Sequence, residues 1–190
     1  MKLYLHVDRS ARLQTGDIIK NEPYCDEILL NAMGFIDPDF VAHLNRLARA
    51  GLSRHGYSYI IAGGGEIQKY AYFIELQYEY VRFKHFPELP SRFQSFFAFR
   101  EYKNALRFAK KYGSGGKIFE ISFDGKCFIG DMNLLKLDRD PAKQKEYAEN
   151  YWNSRQYRTD SEYEPFWECV IDLPVEIKRE MLVNPLDEGQ

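Results

Sequence analysis

Strand and helix patterns are segregated along this chain. "KLYLHVD" at the N-terminus alternates Leu3, Leu5 and Val7 with Lys2, Tyr4, His6 and Asp8, which predicts a half-buried strand. Helical spacing then dominates residues 38 to about 86. "DPDFVAHLNRLARAGLSRHG" has a start signal at Asp37-Pro38, apolar Phe40, Leu44, Leu47 and Leu52 at roughly helical spacing, and stops at Gly51 or Gly56. "EIQKYAYFIELQYEYVRFKHFPELP" is the longest expected helix. One apolar stripe runs through Ile67, Tyr70, Ala71, Ile74, Tyr78 and Val81, another through Phe73, Leu76, Tyr80 and Phe83. Two stripes predict a largely buried helix, ended by Pro87 and Pro90. The other strand patterns follow it. The expected fold class is α+β, one domain over 1–190 with a helical insertion at about 38–86.

Either side of the insertion the reading is local. "SARLQTGDIIKNEP" is a turn and a short helical or extended piece, broken at Gly16. "AGGG" at Ala62 to Gly65 is a joint without the Lys-Ser/Thr pair of a phosphate loop. "SRFQSFFAF" reads as a strand and "REYKNALRFAKKYGSGG" as a helix with Tyr102, Ala105, Leu106 and Ala109 inward. "KIFEISFDGKCFIGD" reads as a hairpin turning at Asp124-Gly125. "RDPAKQKEYAENYW" is a helix starting near Asp140-Pro141, "NSRQYRTDSEYEP" a polar loop, and "LPVEIKREML" a short final helix or turn.

A net charge of -2 supplies no global basic field, so any nucleic-acid contact has to be local. Cys25, Cys127 and Cys169 have no metal-like spacing and imply free thiols in a reducing compartment. Without a signal core or an apolar run of spanning length, the expectation is a cytoplasmic protein with no membrane partner. His6, His43, His55 and His85 are scattered, so no metal site is expected. Cys127 and Cys169 fall in expected strands with no neighbouring His and read as buried, inert thiols. Glu75, Glu79 and Arg82 share a helical line and read as solvated or Arg-paired charges.

Three places can carry chemistry. In "PFWECVIDLP", Glu168 shares a strand face with Phe166, Val170 and Asp172, while Trp167, Cys169 and Ile171 take the other. A carboxylate on a half-apolar face has to be paired, hydrogen-bonded or used. His6 is followed by Asp8, Arg9 and Arg12, a cluster suited to an anionic ligand. Ser95 precedes Phe96 and Phe97, so a hydroxyl beside ring faces could anchor a flat heteroaromatic group. The structural alternatives are a partly exposed strand histidine, a core aromatic strand and a salt-bridged glutamate.

The order of these elements resembles the ADP-ribosyltransferase superfamily, which includes bacterial and phage-defence toxins. "LYLHVDRSARLQTGDII" resembles its first, His- or Arg-bearing strand. "PSRFQSFFAFREYKNALRFA" resembles its second strand and following helix, "KIFEISFDGKCFIGDMNLL" the hairpin of many members, and "PFWECVI" the late strand with the catalytic Glu. The resemblance covers about residues 1 to 20 and 86 to 175. It lacks the Ser-Thr-Ser triplet, and Phe166 stands where arginine-directed enzymes carry Glu or Gln. It implies a mixed antiparallel sheet core and NAD as substrate. Glu168, Ser95 and His6 would be catalytic. His6, Arg9, Arg12, Ser95, Phe96 and Phe97 would bind NAD. Arg155, Tyr157 and Arg158, in the loop before Glu168, would meet a nucleic-acid or protein acceptor. An antitoxin protein is a further implied partner. The alternatives are a non-catalytic partner-binding module, motivated by 14 Tyr, and an RNA 2′-phosphotransferase-like enzyme, which would not need a late Glu.

Overall fold

A computed structural model describes residues 4–26, 37–62, 69–113 and 116–181. The Ala62 to Gly65 joint lies almost wholly outside them. The chain folds as α+β, with two antiparallel sheets and helices packed against them.

The strands are β1 (Tyr4–Asp8), β2 (Ile18–Ile19), β3 (Ser95–Ala98), β4 (Lys117–Phe123), β5 (Cys127–Asp131), β6 (Trp167–Asp172) and β7 (Val175–Met181). The helices are α1 (Pro38–Ala50), the short α2 (Arg54–Gly56) running into a π-helical turn (Tyr57–Ile61), α3 (Lys69–His85), α4 (Tyr102–Tyr112) and α5 (Pro141–Trp152). One sheet has the order β1-β4-β7-β2 and the other β3-β6-β5. A single antiparallel bridge, Leu5 to Phe99, joins them. The strands of His6, Ser95 and Glu168 therefore lie side by side, as β1, β3 and β6.

Local signals formed the helices. Asp37 and Asp140 cap α1 and α5, each followed by Pro in the first turn, where its missing N–H costs nothing. The inward side of α4 packs Tyr102, Ala105, Leu106 and Ala109 over Leu5, Val7, Phe99 and Phe166. The α1–α3 layer has its own core around Phe40, Leu44, Leu76 and Phe93.

Three expectations change. The Asp124-Gly125 turn does not close a hairpin: β4 pairs with β1 and β7, β5 with β6, so the turn carries the chain between sheets. The segment read as a final helix is β7, whose Val175 and Ile177 alternate into the core beside β4. Helix α3 is not buried all round. Tyr70, Phe73 and Tyr80 are 74%, 47% and 37% exposed, so only the face carrying Glu75, Leu76, Tyr78 and Glu79 is covered.

Candidate functional site

Glu168 is 3% exposed and faces the layer formed by α3 and α5. It is paired. Its Oε1 accepts from Arg92 Nη1 at 2.5 Å and from the Tyr151 hydroxyl at 2.7 Å. Arg92 also grips Glu75 through two parallel bonds, Nε to Oε2 at 2.8 Å and Nη2 to Oε1 at 2.9 Å. Two carboxyl groups thus share one buried guanidinium. Burial opposes the charge on Arg92, but the Glu168 and Glu75 carboxylates hold its pKa well above the ordinary range. Burial likewise opposes ionisation of Glu75, yet Arg92 and His55 keep its carboxyl well below the usual value.

Each group arrives from a different element. Arg92 sits in a short 3₁₀ turn before β3, capped by Ser91. Ser91 donates to Glu79, which also holds Arg82 and His43, so the second carboxylate on the α3 line anchors the same turn. Tyr151 comes from the end of α5. Its ring reaches Glu168 because the facing residue on β5 is glycine. A Cβ on Gly130 would stand 2.3 Å from Tyr151 Cε2. We expect Gly130→Ala to displace that ring at a cost of about 1–3 kcal/mol. Thermal unfolding would check it, with an unchanged midpoint counting against this arrangement.

The network reaches solvent at His55. Its Nε2 lies 3.2 Å from Glu75 Oε1 without hydrogen-bond alignment, and its side chain is 23% exposed. The His55 ring packs 4.7 Å from Phe97 and 4.6 Å from the half-buried Tyr59. Arg92 lies 4.8 Å over the Phe97 ring. The charge of Arg9 reaches Tyr59, so the turn after β1 borders this edge.

The other expected site residues are placed as follows. His6 is on the opposite face from Glu168: its ring packs on Phe96 at 4.1 Å, and its Nδ1–H donates to the Phe97 carbonyl at 2.7 Å. Ser95 donates to the Ser91 carbonyl at 2.6 Å. It pairs with Asp172, about 13 Å along the strand from Glu168 at ~3.3 Å per residue. Glu168, Ser95 and His6 therefore do not converge as side chains. His6 clamps β1 to β3, and Ser95 braces the turn of Arg92. Arg9 and Arg12 are exposed, their loop folded by the buried Asp8, which accepts from Ser10 and from the backbone of Arg12 and Leu13. In the loop before β6, Arg155 is exposed, Arg158 pairs with Asp160 at 2.7 Å, and Tyr157 packs against Lys136, Tyr147 and Tyr163. Buried Asp131 ties that loop down through the backbone of Tyr157 and Phe166.

Sequence reasoning missed Arg92, Tyr151 and His55. One signal was present: Glu75 has no cation one turn away on α3, so a buried Glu there needs one from elsewhere.

His6 also sets a pH dependence. Desolvation, its largest influence, lowers its pKa from 6.5 to about 4, and the Phe97 bond offsets part of that. The unfolded chain takes a proton that the fold resists, so stability is full above pH 6.5 and falls as pH drops toward 4. The loss is on the order of 2 kcal/mol by about pH 5. Urea midpoints between pH 7 and 5 should fall in the wild type and stay flatter in His6→Gln.

Among the described residues, no three His, Cys, Asp or Glu side chains could together hold a metal ion, and no helix is long and apolar enough to cross a membrane. No curated protein matches the chain. The family model described as "Protein of unknown function (DUF2441)" matches residues 4–182, and the chain belongs to that family.

Proposed function

We propose that this protein is a cytoplasmic, NAD-consuming ADP-ribosyltransferase, built on an ADP-ribosyltransferase-like sheet core, with Glu168 as its catalytic carboxylate. The observation that supports this reading is the lateral order β1, β3, β6: strands separated by most of the chain stand as neighbours in the order the resemblance implies. The electrostatics suit the reaction. Breaking the nicotinamide–ribose bond sends the bonding electron pair to the nicotinamide nitrogen and leaves oxocarbenium character on the ribose. Two carboxyl groups around one guanidinium leave surplus negative charge to face that cation. An acceptor oxygen or nitrogen then bonds to the ribose carbon and gives up its proton.

In this reading the substrate enters at the His55–Tyr59 edge. Arg9 takes the pyrophosphate, and Phe97 and Tyr59 flank the nicotinamide. His6 serves as a positioning residue. Arg155 and Arg158 present the acceptor side, with RNA or DNA the first acceptor to test and protein the next. A toxin or phage-defence role with an antitoxin partner follows from the same resemblance.

The test is nicotinamide release from NAD by the purified protein, with total RNA, DNA and lysate protein supplied in turn. Release that requires one acceptor class supports the reading and names the substrate class. No release with any of them overturns it. That outcome would favour the partner-binding module, for which the exposed Tyr70, Phe73 and Tyr80 on α3 speak.

A further inference from the structure

Two of the three cysteines meet on the far side of β6. Cys127 pairs with Ile171 and Cys169 with Ile129, so the two are diagonal neighbours on one face of the β5–β6 ladder. That face is opposite Glu168. Cys169 is buried and Cys127 only partly so. Cys169 and Arg100 line a cavity of about 340 Å³ with Asn104, Ile129, Ser154 and Trp167. Arg100 donates to the Tyr4 hydroxyl at 3.2 Å. Tyr4 and Arg100 come from β1 and from the end of β3, and both lie against the Cys127 sulfur.

We propose that Cys127 and Cys169 form a peroxide-sensitive dithiol, in which Cys127 is the thiol oxidised first and Cys169 resolves it. The two thiols are differentiated by their surroundings. The Cys169 thiol is the largest influence on Cys127. With Arg100 and Tyr4 it outweighs burial and brings the Cys127 pKa from 9 to about 7. The Cys127 sulfur, burial and the Glu168 carboxylate push Cys169 up, so it stays a thiol. Arg100 is the one cation acting on the pair, and the cavity at its side admits a small oxidant.

The chemistry balances. The Cys127 thiolate attacks one peroxide oxygen, the O–O bond breaks, and the leaving hydroxide takes a proton to become water. Cys169 sulfur then attacks the Cys127 sulfenic acid. Its proton and the sulfenic hydroxyl leave as a second water, and a disulfide forms. The dithiol loses two electrons and the peroxide gains them. The new bond would tie β5 to β6 at the residue beside Glu168. A diagonal cross-strand link departs from relaxed disulfide geometry, which favours ready reduction.

The protein treated with graded hydrogen peroxide, then mapped by non-reducing peptide mass spectrometry, tests this directly. We expect a Cys127–Cys169 linked peptide in the wild type. In Cys169→Ser we expect a sulfenic acid on Cys127, trapped by dimedone. Iodoacetamide should alkylate Cys127 with a midpoint near pH 7, moved upward in Arg100→Gln. At pH 7 its rate should exceed that of an ordinary thiol of pKa ~8.5 by about tenfold. Oxidation confined to exposed Cys25, or a Cys127 that alkylates only in the ordinary thiol range, would overturn the proposal. Neither readout depends on NAD chemistry.

Discussion

Glu168→Gln is expected to lower nicotinamide release about a hundredfold or more, the usual cost of removing one preorganised electrostatic group. Glutamine keeps the shape and an oxygen that can still accept from Arg92 and Tyr151, so the packing around β6 should survive. It removes the negative charge that would face the developing oxocarbenium ion. The measurement is single-turnover nicotinamide release beside the thermal unfolding midpoint. A large fall in rate with a small shift in midpoint separates a chemical role from a structural one. Release unchanged in a folded variant would remove Glu168 from the mechanism, and an RNA 2′-phosphotransferase-like activity would become the better candidate.

Arg92→Met should cost more stability than any other single substitution in the polar layer. The guanidinium is 3% exposed and carries the bonds to both Glu75 and Glu168. Its removal leaves two buried carboxyl groups uncompensated, worth about 3–5 kcal/mol. For a chain this size each kcal/mol moves the midpoint by about 2–4 °C, so a fall of roughly 6–20 °C is expected. The pH dependence gives a second check. Arg92 depresses the Glu75 pKa in the fold, so its contribution is complete above the unfolded value near 4.5 and is lost as pH falls further. The stability gap between wild type and Arg92→Met should therefore narrow in acid. A gap that stays constant from pH 7 to pH 4 would show that lost packing of the Arg92 stem, not charge, sets the cost. Adding Glu75→Gln to Arg92→Met should recover part of the loss, since one of the stranded charges is then gone.

The helices and the strand faces were legible because their causes are local. An Asp-Pro start, a Gly stop and apolar residues every third or fourth position act within one or two turns. Helices α1, α4 and α5 accordingly run where their patterns say. Alternation in β1 and β6 was read with the correct faces for Leu5, Val7, Val170 and Cys169. The failures share one origin. "KIFEISFDGKCFIGD" has every local mark of a hairpin, yet each strand finds a better partner far along the chain. "VEIKREM" reads as a short helix until β4 offers an edge, and then its alternation of Val175 and Ile177 takes over. Tyr70, Phe73 and Tyr80 look like a second buried stripe, but nothing among the described residues covers them.

The site divides the same way. That Glu168 sits among apolar neighbours and needs a partner follows from two residues on either side of it. Which partner it takes depends on Arg92, 76 residues away, and on Tyr151, placed by a helix that can approach only over Gly130. A side chain's solvation demand is written in its immediate neighbours, but the ion that meets it is chosen by packing between distant elements. The same logic separates the cysteines. Their strands were readable, while the contact of Cys127 with Cys169, Arg100 and Tyr4 exists only once β1, β3, β5 and β6 are brought together.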